Sequence, residues 1–300
     1  MPAPNPGNIV SKYTGDMRVD HGDNSVTDVR RRFDAAADSF DDADHVHRAT
    51  FDGLLERLAP VAIRAGLVLD LGAASGTGSE RLAKTFGKAR VLSVDISRRM
   101  LARGVARRRL FSKTMQVQAN ALMLPLPDDC VDLVFANMLL PWIDDPAPCF
   151  REVNRVLRKD AVFAFASLGP DSMAEFREAA VGVDGFPDIH SFPDMHDVGD
   201  ALVRAGLRDP VLDVDRLRVT WPTFDELMSD LAGCGAIAQW SPDVASRYQA
   251  LEARFPRRDE SGLFAIELEL VFGHAWGSGP RPAAGEFRVE PGTIGHRARS

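Results

Sequence analysis

One short run of small residues constrains this chain more than anything else in it: Val68-Leu-Asp-Leu-Gly-Ala-Ala-Ser-Gly-Thr-Gly78, set between an apolar strand pattern and a helical one. A backbone that leaves a buried strand and enters a helix within a few residues must turn tightly. Where it also approaches a ligand, Cβ atoms stand in the way. Asp95 ends the next apolar run, 25 positions after Asp70. That is close to the offset of about 20 residues at which an acid reaches ribose hydroxyls in dinucleotide folds. The dinucleotide fingerprint itself, Gly-x-Gly-x-x-Gly directly after the strand, is not what stands here. An acid is followed instead by Gly72, Ala74 and Gly76.

Around this turn, short runs rich in Val, Leu and Phe alternate with longer amphipathic stretches, as in an α/β protein with a buried parallel sheet. The pattern predicts strands over 67–71, 90–94, 116–119, 131–136, 161–166 and 266–273, with a seventh from 211–214 or 217–221. Helices are predicted over 26–40, 46–58, 79–86, 97–110, 146–158 and 195–205, with Ser97 as an N-cap and Gly206 as a C-cap. Residues 170–193 hold no long apolar run and are expected to form a mobile segment or lid. The tails, 1–25 and 278–300, are rich in Pro, Gly and polar residues and are expected to be disordered, leaving one domain over 26–277 with its core at 67–168.

A 45% hydrophobic composition over 300 residues fills the core of one large domain. The formal charge of -7 argues against a general nucleic-acid binder, which would carry a basic excess. Cys130, Cys149 and Cys234 are far apart and odd in number, so no disulfide scheme suits them, and a reducing cytoplasm is expected. No stretch reaches the roughly 18 apolar residues of a membrane span, and no secretory leader pattern is visible. A metal site at His190, Asp194, His196 and Asp197 is set aside, because Asp194 reads as a helix cap and no second ligand cluster follows.

The run Asp70-Leu-Gly-Ala-Ala-Ser-Gly76 resembles motif I of class I S-adenosylmethionine (SAM)-dependent methyltransferases, Asp/Glu-x-Gly-x-Gly-x-Gly, with Ala74 at the middle glycine. Val94-Asp-Ile-Ser-Arg-Arg-Met100 is similar to the family's Asp-x-Ser-x-x-Met segment. Gln118-Ala-Asn-Ala-Leu-Met-Leu-Pro-Leu-Pro127 resembles its Gly-Asp-Ala-x-x-Leu-Pro stretch, with Asn120 in place of the acid. Val131-Asp-Leu-Val-Phe-Ala-Asn137 and the loop to Trp142 match its fourth strand. The resemblance implies a Rossmann-like fold: a seven-stranded, mostly parallel sheet with helices on both faces, an N-terminal helical cover and a lid after strand five. It also implies SAM as cofactor, held by Asp70, Gly72, Ala74, Gly76, Asp95, Ile96, Met100, Asn120, Ala121 and Asn137.

The flanks narrow the family. Val29-Arg-Arg-Arg-Phe-Asp-Ala-Ala-Ala-Asp-Ser-Phe-Asp41, Ser167-Leu-Gly-Pro-Asp-Ser172, Phe192-Pro-Asp-Met-His-Asp-Val-Gly-Asp-Ala-Leu-Val203 and Glu269-Leu-Val-Phe-Gly-His-Ala-Trp276 resemble the malonyl-[acyl-carrier protein] O-methyltransferases of biotin synthesis. That implies esterification of the free malonyl carboxylate. No catalytic residue is assigned, since an ionised carboxylate needs no base. Arg31, Phe40, Trp142 and Arg177 are the candidates for the acceptor side, and the arginines suit a carboxylate grip. A basic block containing Arg98, Arg103, Arg107 and Arg108 is a candidate docking surface for the acidic acyl-carrier protein. The same motifs also admit another small-molecule methyltransferase, an arginine-hydroxylating relative, or a non-catalytic binding or assembly protein.

Overall fold

The computed structural model describes residues 25–107, 113–181, 183, 192–237, 245–255 and 262–279. The expected tails fall outside these residues, apart from Ser25, which caps the first helix, and 278–279, where the Ser278 N–H donates to Asn154.

The strands form one seven-stranded sheet. They are β1 (Leu67–Leu71), β2 (Arg90–Asp95), β3 (Thr114–Gln118), β4 (Val131–Asn137), β5 (Leu157–Leu168), β6 (Arg208–Trp221) and β7 (Phe264–Trp276). Their order is β3-β2-β1-β4-β5-β7-β6, parallel except for β7, which runs antiparallel between β5 and β6. Parallel strands covered on both faces read as unbroken apolar runs, and β4 shows why. Leu133 and Phe135 enter the core on one face, while Val134 and Ala136 enter the core on the other. The expected seventh strand proves to be both candidates at once: 211–214 and 217–221 join in the single long edge strand β6.

Helices α1 (Val26–Ala36), α2 (Phe40–Ala43) and α3 (His45–Leu58) precede β1. The helix expected over 26–40 is therefore broken, and Ser39 caps back onto the Ala36 carbonyl within the break. Next come α4 (Thr77–Thr85), α5 (Arg98–Arg107), α6 (Pro146–Val156), α7 (Ala174–Ala180), α8 (Met195–Arg204), α9 (Phe224–Gly233) and α10 (Ala245–Arg254). The Ser97 hydroxyl accepts from the Met100 N–H at 3.1 Å, as an N-cap should. Gly206, at φ 92°, closes α8 with the paired bonds Leu207 N–H to Leu202 and Gly206 N–H to Val203. Asp194 caps the start of the same helix by accepting from the His196 N–H.

Part of the segment expected to be mobile is instead anchored. α7 buries Phe176 and Ala179 against the core, and Glu175 accepts from the Glu267 N–H; residues 182 and 184–191 lie outside the described set. Among the described residues no helix is long and apolar enough to cross a membrane.

Gly273 faces Phe165 across the β5–β7 ladder, and a Cβ there would overlap the Phe165 ring. Phe165 is fully buried between Phe150 and Phe163, so it has nowhere to move. Gly273→Ala is expected to cost about 1–3 kcal/mol by overpacking, read as a melting temperature (Tm) several degrees lower in calorimetry.

Candidate active site

The period-2 alternation of β1 decides where Asp70 points. Leu69 and Leu71 enter one core, so Val68 and Asp70 face the other, beneath α3 and α4. Asp70 is only 4% exposed. Its carboxyl accepts from the Ser79 hydroxyl at 2.5 Å, and Ser79 in turn accepts from Ser93 at 2.6 Å. Burial pushes its pKa up to about 7 against the lowering effect of the Ser79 bond, and the nearby Asp95 charge adds to the rise.

The turn after β1 has an alternating geometry. Gly72, Ala74 and Gly76 all adopt left-handed backbone, at φ 80°, 46° and 81°. The Gly72 and Ala73 N–H groups donate to the Val94 carbonyl at 2.8 and 3.0 Å, which ties the turn to the end of β2. The Ala74 N–H donates to Asp95 Oδ2 at 2.9 Å, and the Ser97 N–H donates to Oδ1 at 2.7 Å. Asp95 and the glycine turn thus form one hydrogen-bonded unit. Enclosure of the carboxylate pushes its pKa up to about 6 even though the Ser97, Ala74 and Ile96 N–H groups hold it down. Ala74 packs beside the apolar cluster of Phe40 and Met100, an environment that accepts its methyl group.

A cleft of about 240 Å³ opens over this unit. Gly72, Ala74, Asp95, Ile96, Asn120, Ala121 and Asn137 line it, together with Phe40 and Trp142. Asp70 and Gly72 also line a second cleft of about 130 Å³, which shares His47 and Asn137 with the first. Gly76 sits behind the turn, where a Cβ would press on Gly104 of α5. Met100 lies beneath the turn, fully buried and outside the cleft lining. Asn120 is at the cleft, but its Oδ1 already accepts from the Leu122 N–H at 2.9 Å.

The structure separates the remaining expected residues. Arg31 is solvent-exposed and ion-paired with Asp28, on the side of α1 opposite the cleft-lining Val26, Val29 and Phe33. Arg177 clamps the carbonyls of Pro170 and Ser172 and does not line the cleft. Within the basic block, Arg103 pairs with Asp38 at 3.3 Å and Asp41 at 3.5 Å. It thereby secures the N-terminal helices to α5, beside the Arg99–Asp38 pair and the Ser97 hydroxyl bond to Asp34. Arg98 is exposed, whereas the Arg107 side chain and Arg108 lie outside the described residues.

His47, Arg48 and Met138 at the clefts carry no readable signal in the sequence, whereas Asn137 beside them is an expected residue. His47 lies where the two clefts meet; its Nδ1 is enclosed without a partner, and burial pushes its pKa down to about 4, so the ring is neutral. Asn137 donates from Nδ2 to the His47 carbonyl at 2.8 Å, which fixes the amide and leaves its enclosed Oδ1 without a partner. Arg48 lines the smaller cleft and pairs with Asp44 at 2.6 Å. Met138 lines the larger one in left-handed backbone at φ 58°, a strained conformation of the kind that gathers at functional sites.

The sequence and the fold are matched by known proteins. The methyltransferase-domain family matches residues 69–165. The YcgJ protein of Bacillus subtilis has the same fold, with a TM-score of 0.56 at 18% identity over 75% of this chain and 98% of its own. Phosphoethanolamine N-methyltransferase 2 of Haemonchus contortus, solved in complex with S-adenosyl-L-methionine, gives a TM-score of 0.53 at 16% identity over 81% of this chain and 57% of its own. A protein of Halorhodospira halophila named malonyl-[acyl-carrier protein] O-methyltransferase is 37% identical over 283 residues, 90% of this chain and 96% of the relative. By that similarity the chain belongs to the malonyl-[acyl-carrier protein] O-methyltransferase family.

Proposed function

We propose that this protein is a SAM-dependent O-methyltransferase that esterifies the free carboxylate of malonyl-acyl-carrier protein, early in the synthesis of the pimeloyl chain of biotin. The observation that carries the reading is the cleft over the Asp95 and glycine-turn unit, in a chain related along nearly its whole length to enzymes of that name. The residues present fit the cofactor. Asp95 keeps acceptor capacity toward the cleft after its backbone bonds, as ribose hydroxyls require. The partnerless Asn137 Oδ1 and His47 Nδ1 are buried polar atoms that a polar ligand would satisfy. Arg48 and Arg81 line the smaller cleft as cations for a ligand carboxylate, and the buried Asp70 lines it as well, to face a cationic group. Ile96, Ala121 and Leu122 offer apolar contacts for a purine, and Asn120 retains its amide N–H donors at the same edge.

When bound, SAM supplies a methyl group on a positively charged sulfur. The acceptor carboxylate, ionised at neutral pH, is its own nucleophile: one oxygen forms a bond to the methyl carbon as the carbon–sulfur bond breaks. The electron pair stays on sulfur, and no proton moves. The protein contributes alignment and exclusion of water, which together supply about 7–11 kcal/mol when the geometry is right. Phe33, Phe40 and Trp142 provide the apolar walls for this, with Phe33 edge-on to Trp142 at 4.9 Å. The test is transfer from SAM to malonyl-acyl-carrier protein against malonyl-coenzyme A, read by mass. Turnover of neither overturns the proposal.

The carrier protein is acidic, and the basic block with Arg98, Arg107 and Arg108 complements it in charge, whereas Arg103 is engaged by Asp38 and Asp41. Reversing Arg107 and Arg108 to Glu is expected to raise KM for the carrier-linked substrate. The thermal shift given by the demethylated cofactor should stay the same. An unchanged KM removes this surface from consideration.

A further inference from the structure

An anion entering the larger cleft meets Asp95, Asp144 and Asp145 in its lining, and no Lys or Arg among the described residues that line it. A cation must therefore come from the rim. Of the nearby arginines, Arg48 lines the smaller cleft and is assigned there, and others already have carboxylate partners: Arg31 pairs with Asp28, and Arg99 and Arg103 with Asp38. Arg32 differs. Its guanidinium lies over the Trp142 ring, 5.6 Å from the centroid, and donates one long bond of 3.4 Å to the Ala236 carbonyl. Among the described residues it has no carboxylate partner. Burial lowers its pKa, so the cation is poorly solvated where it stands. Val29 and Phe33, which flank it on α1, line the cleft, as does Trp142 beneath it.

We propose that Arg32 is the residue that selects a carboxylate acceptor, receiving the malonyl carboxylate at the Trp142 wall of the cleft. The inference rests on the esterification reading and adds its specificity determinant. A planar guanidinium held on an aromatic face keeps its free N–H groups aligned for a carboxylate, so little ordering is required on binding. Once the carboxylate has become a methyl ester, the charge that Arg32 holds is gone. The same contact thus favours substrate binding and product release.

The test compares wild type with Arg32→Met, which keeps the packing on Trp142 and removes the charge, and with Arg32→Lys, which keeps the charge without the fork. The readouts are KM for malonyl-acyl-carrier protein, inhibition by the methyl-ester product, and the thermal shift with demethylated cofactor. Arg32→Met is expected to raise KM roughly 10- to 100-fold, the loss of one charge-assisted contact, while product inhibition and the thermal shift stay near wild type. Arg32→Lys should recover part of the loss, and Arg31→Ala should change nothing. A structural role would move substrate and product binding together, and that result, or an unchanged KM, overturns the proposal. A wild type that transfers no methyl group to malonyl-acyl-carrier protein overturns the esterification reading instead.

Discussion

Asp95→Asn is expected to reduce affinity for SAM and its demethylated product by roughly 10²- to 10⁴-fold, the loss of about two charge-assisted hydrogen bonds. The wild-type carboxylate accepts from the Ala74 N–H with one oxygen and from the Ser97 N–H with the other. An amide has a single acceptor atom, so its NH2 group must face one of those two donors, and the turn opens where the ligand should lie. The assay is the thermal shift at a ligand concentration about 100-fold above the wild-type Kd. Wild type gains about 2.7 kcal/mol by linkage there, and the variant gains almost nothing. The pH dependence gives a second check. Ribose hydroxyls donate to an ionised Asp95, and in the free protein that carboxyl picks up a proton as pH falls through about 6. Wild-type affinity should therefore decline below about pH 6. Asp95→Asn, already weak, should not repeat that decline, and a wild-type thermal shift in the variant would remove Asp95 from the site.

That unit was legible in the sequence because its parts obey strong local rules. Buried parallel strands announce themselves as apolar runs, and the turn between β1 and α4 needs small residues wherever φ is positive. Ala74 was the apparent exception. Its methyl group packs beside an apolar cluster of Phe40 and Met100, more than 20 residues away on either side. Such long-range packing leaves no local signature. The same holds for His47, which the expected residue Asn137 meets across 90 positions through one hydrogen bond.

The arginines illustrate a different limit. Helical spacing does separate Arg31 from the face of Val26, Val29 and Phe33, but only once that face is known to roof a cleft. Arg177 fell in a stretch without a long apolar run, yet its helix buries Phe176 and Ala179. Edge strand β6 offers two alternative segments to a sequence reading because residues 213–216 are exposed on both faces, which interrupts the alternation present at its two ends. Helix α9 lies outside the expected helices although it carries a full capping box, the Thr223 hydroxyl accepting from the Glu226 N–H and the Glu226 carboxylate from the Thr223 N–H.

Asp70→Asn is expected to stabilise the ligand-free protein increasingly as pH rises. The folded-state pKa of Asp70 is raised to about 7, against about 3.9 in an unfolded chain. Between those values the folded protein holds a proton that the unfolded chain has lost, so stability falls as pH rises from about 4 to about 7 and then levels off. The full cost at pH 8 is on the order of 4 kcal/mol, from about three pH units at 1.36 kcal/mol each. Asn cannot ionise and still offers an acceptor to the Ser79 hydroxyl, so it escapes that cost. Wild type and variant should melt close together near pH 4.5 and diverge toward pH 8, by several degrees or more for a domain of this size. A shallower slope persists in the variant from Asp95, whose pKa is also raised. Binding should move the other way: if Asp70 faces the cationic end of the cofactor in the smaller cleft, the variant's ligand-induced thermal shift at pH 8 shrinks as its ligand-free Tm rises. Parallel melting curves across pH would show that Asp70 is not held protonated by burial. A gain in Tm with an undiminished thermal shift would restrict it to the turn and remove it from the cofactor site.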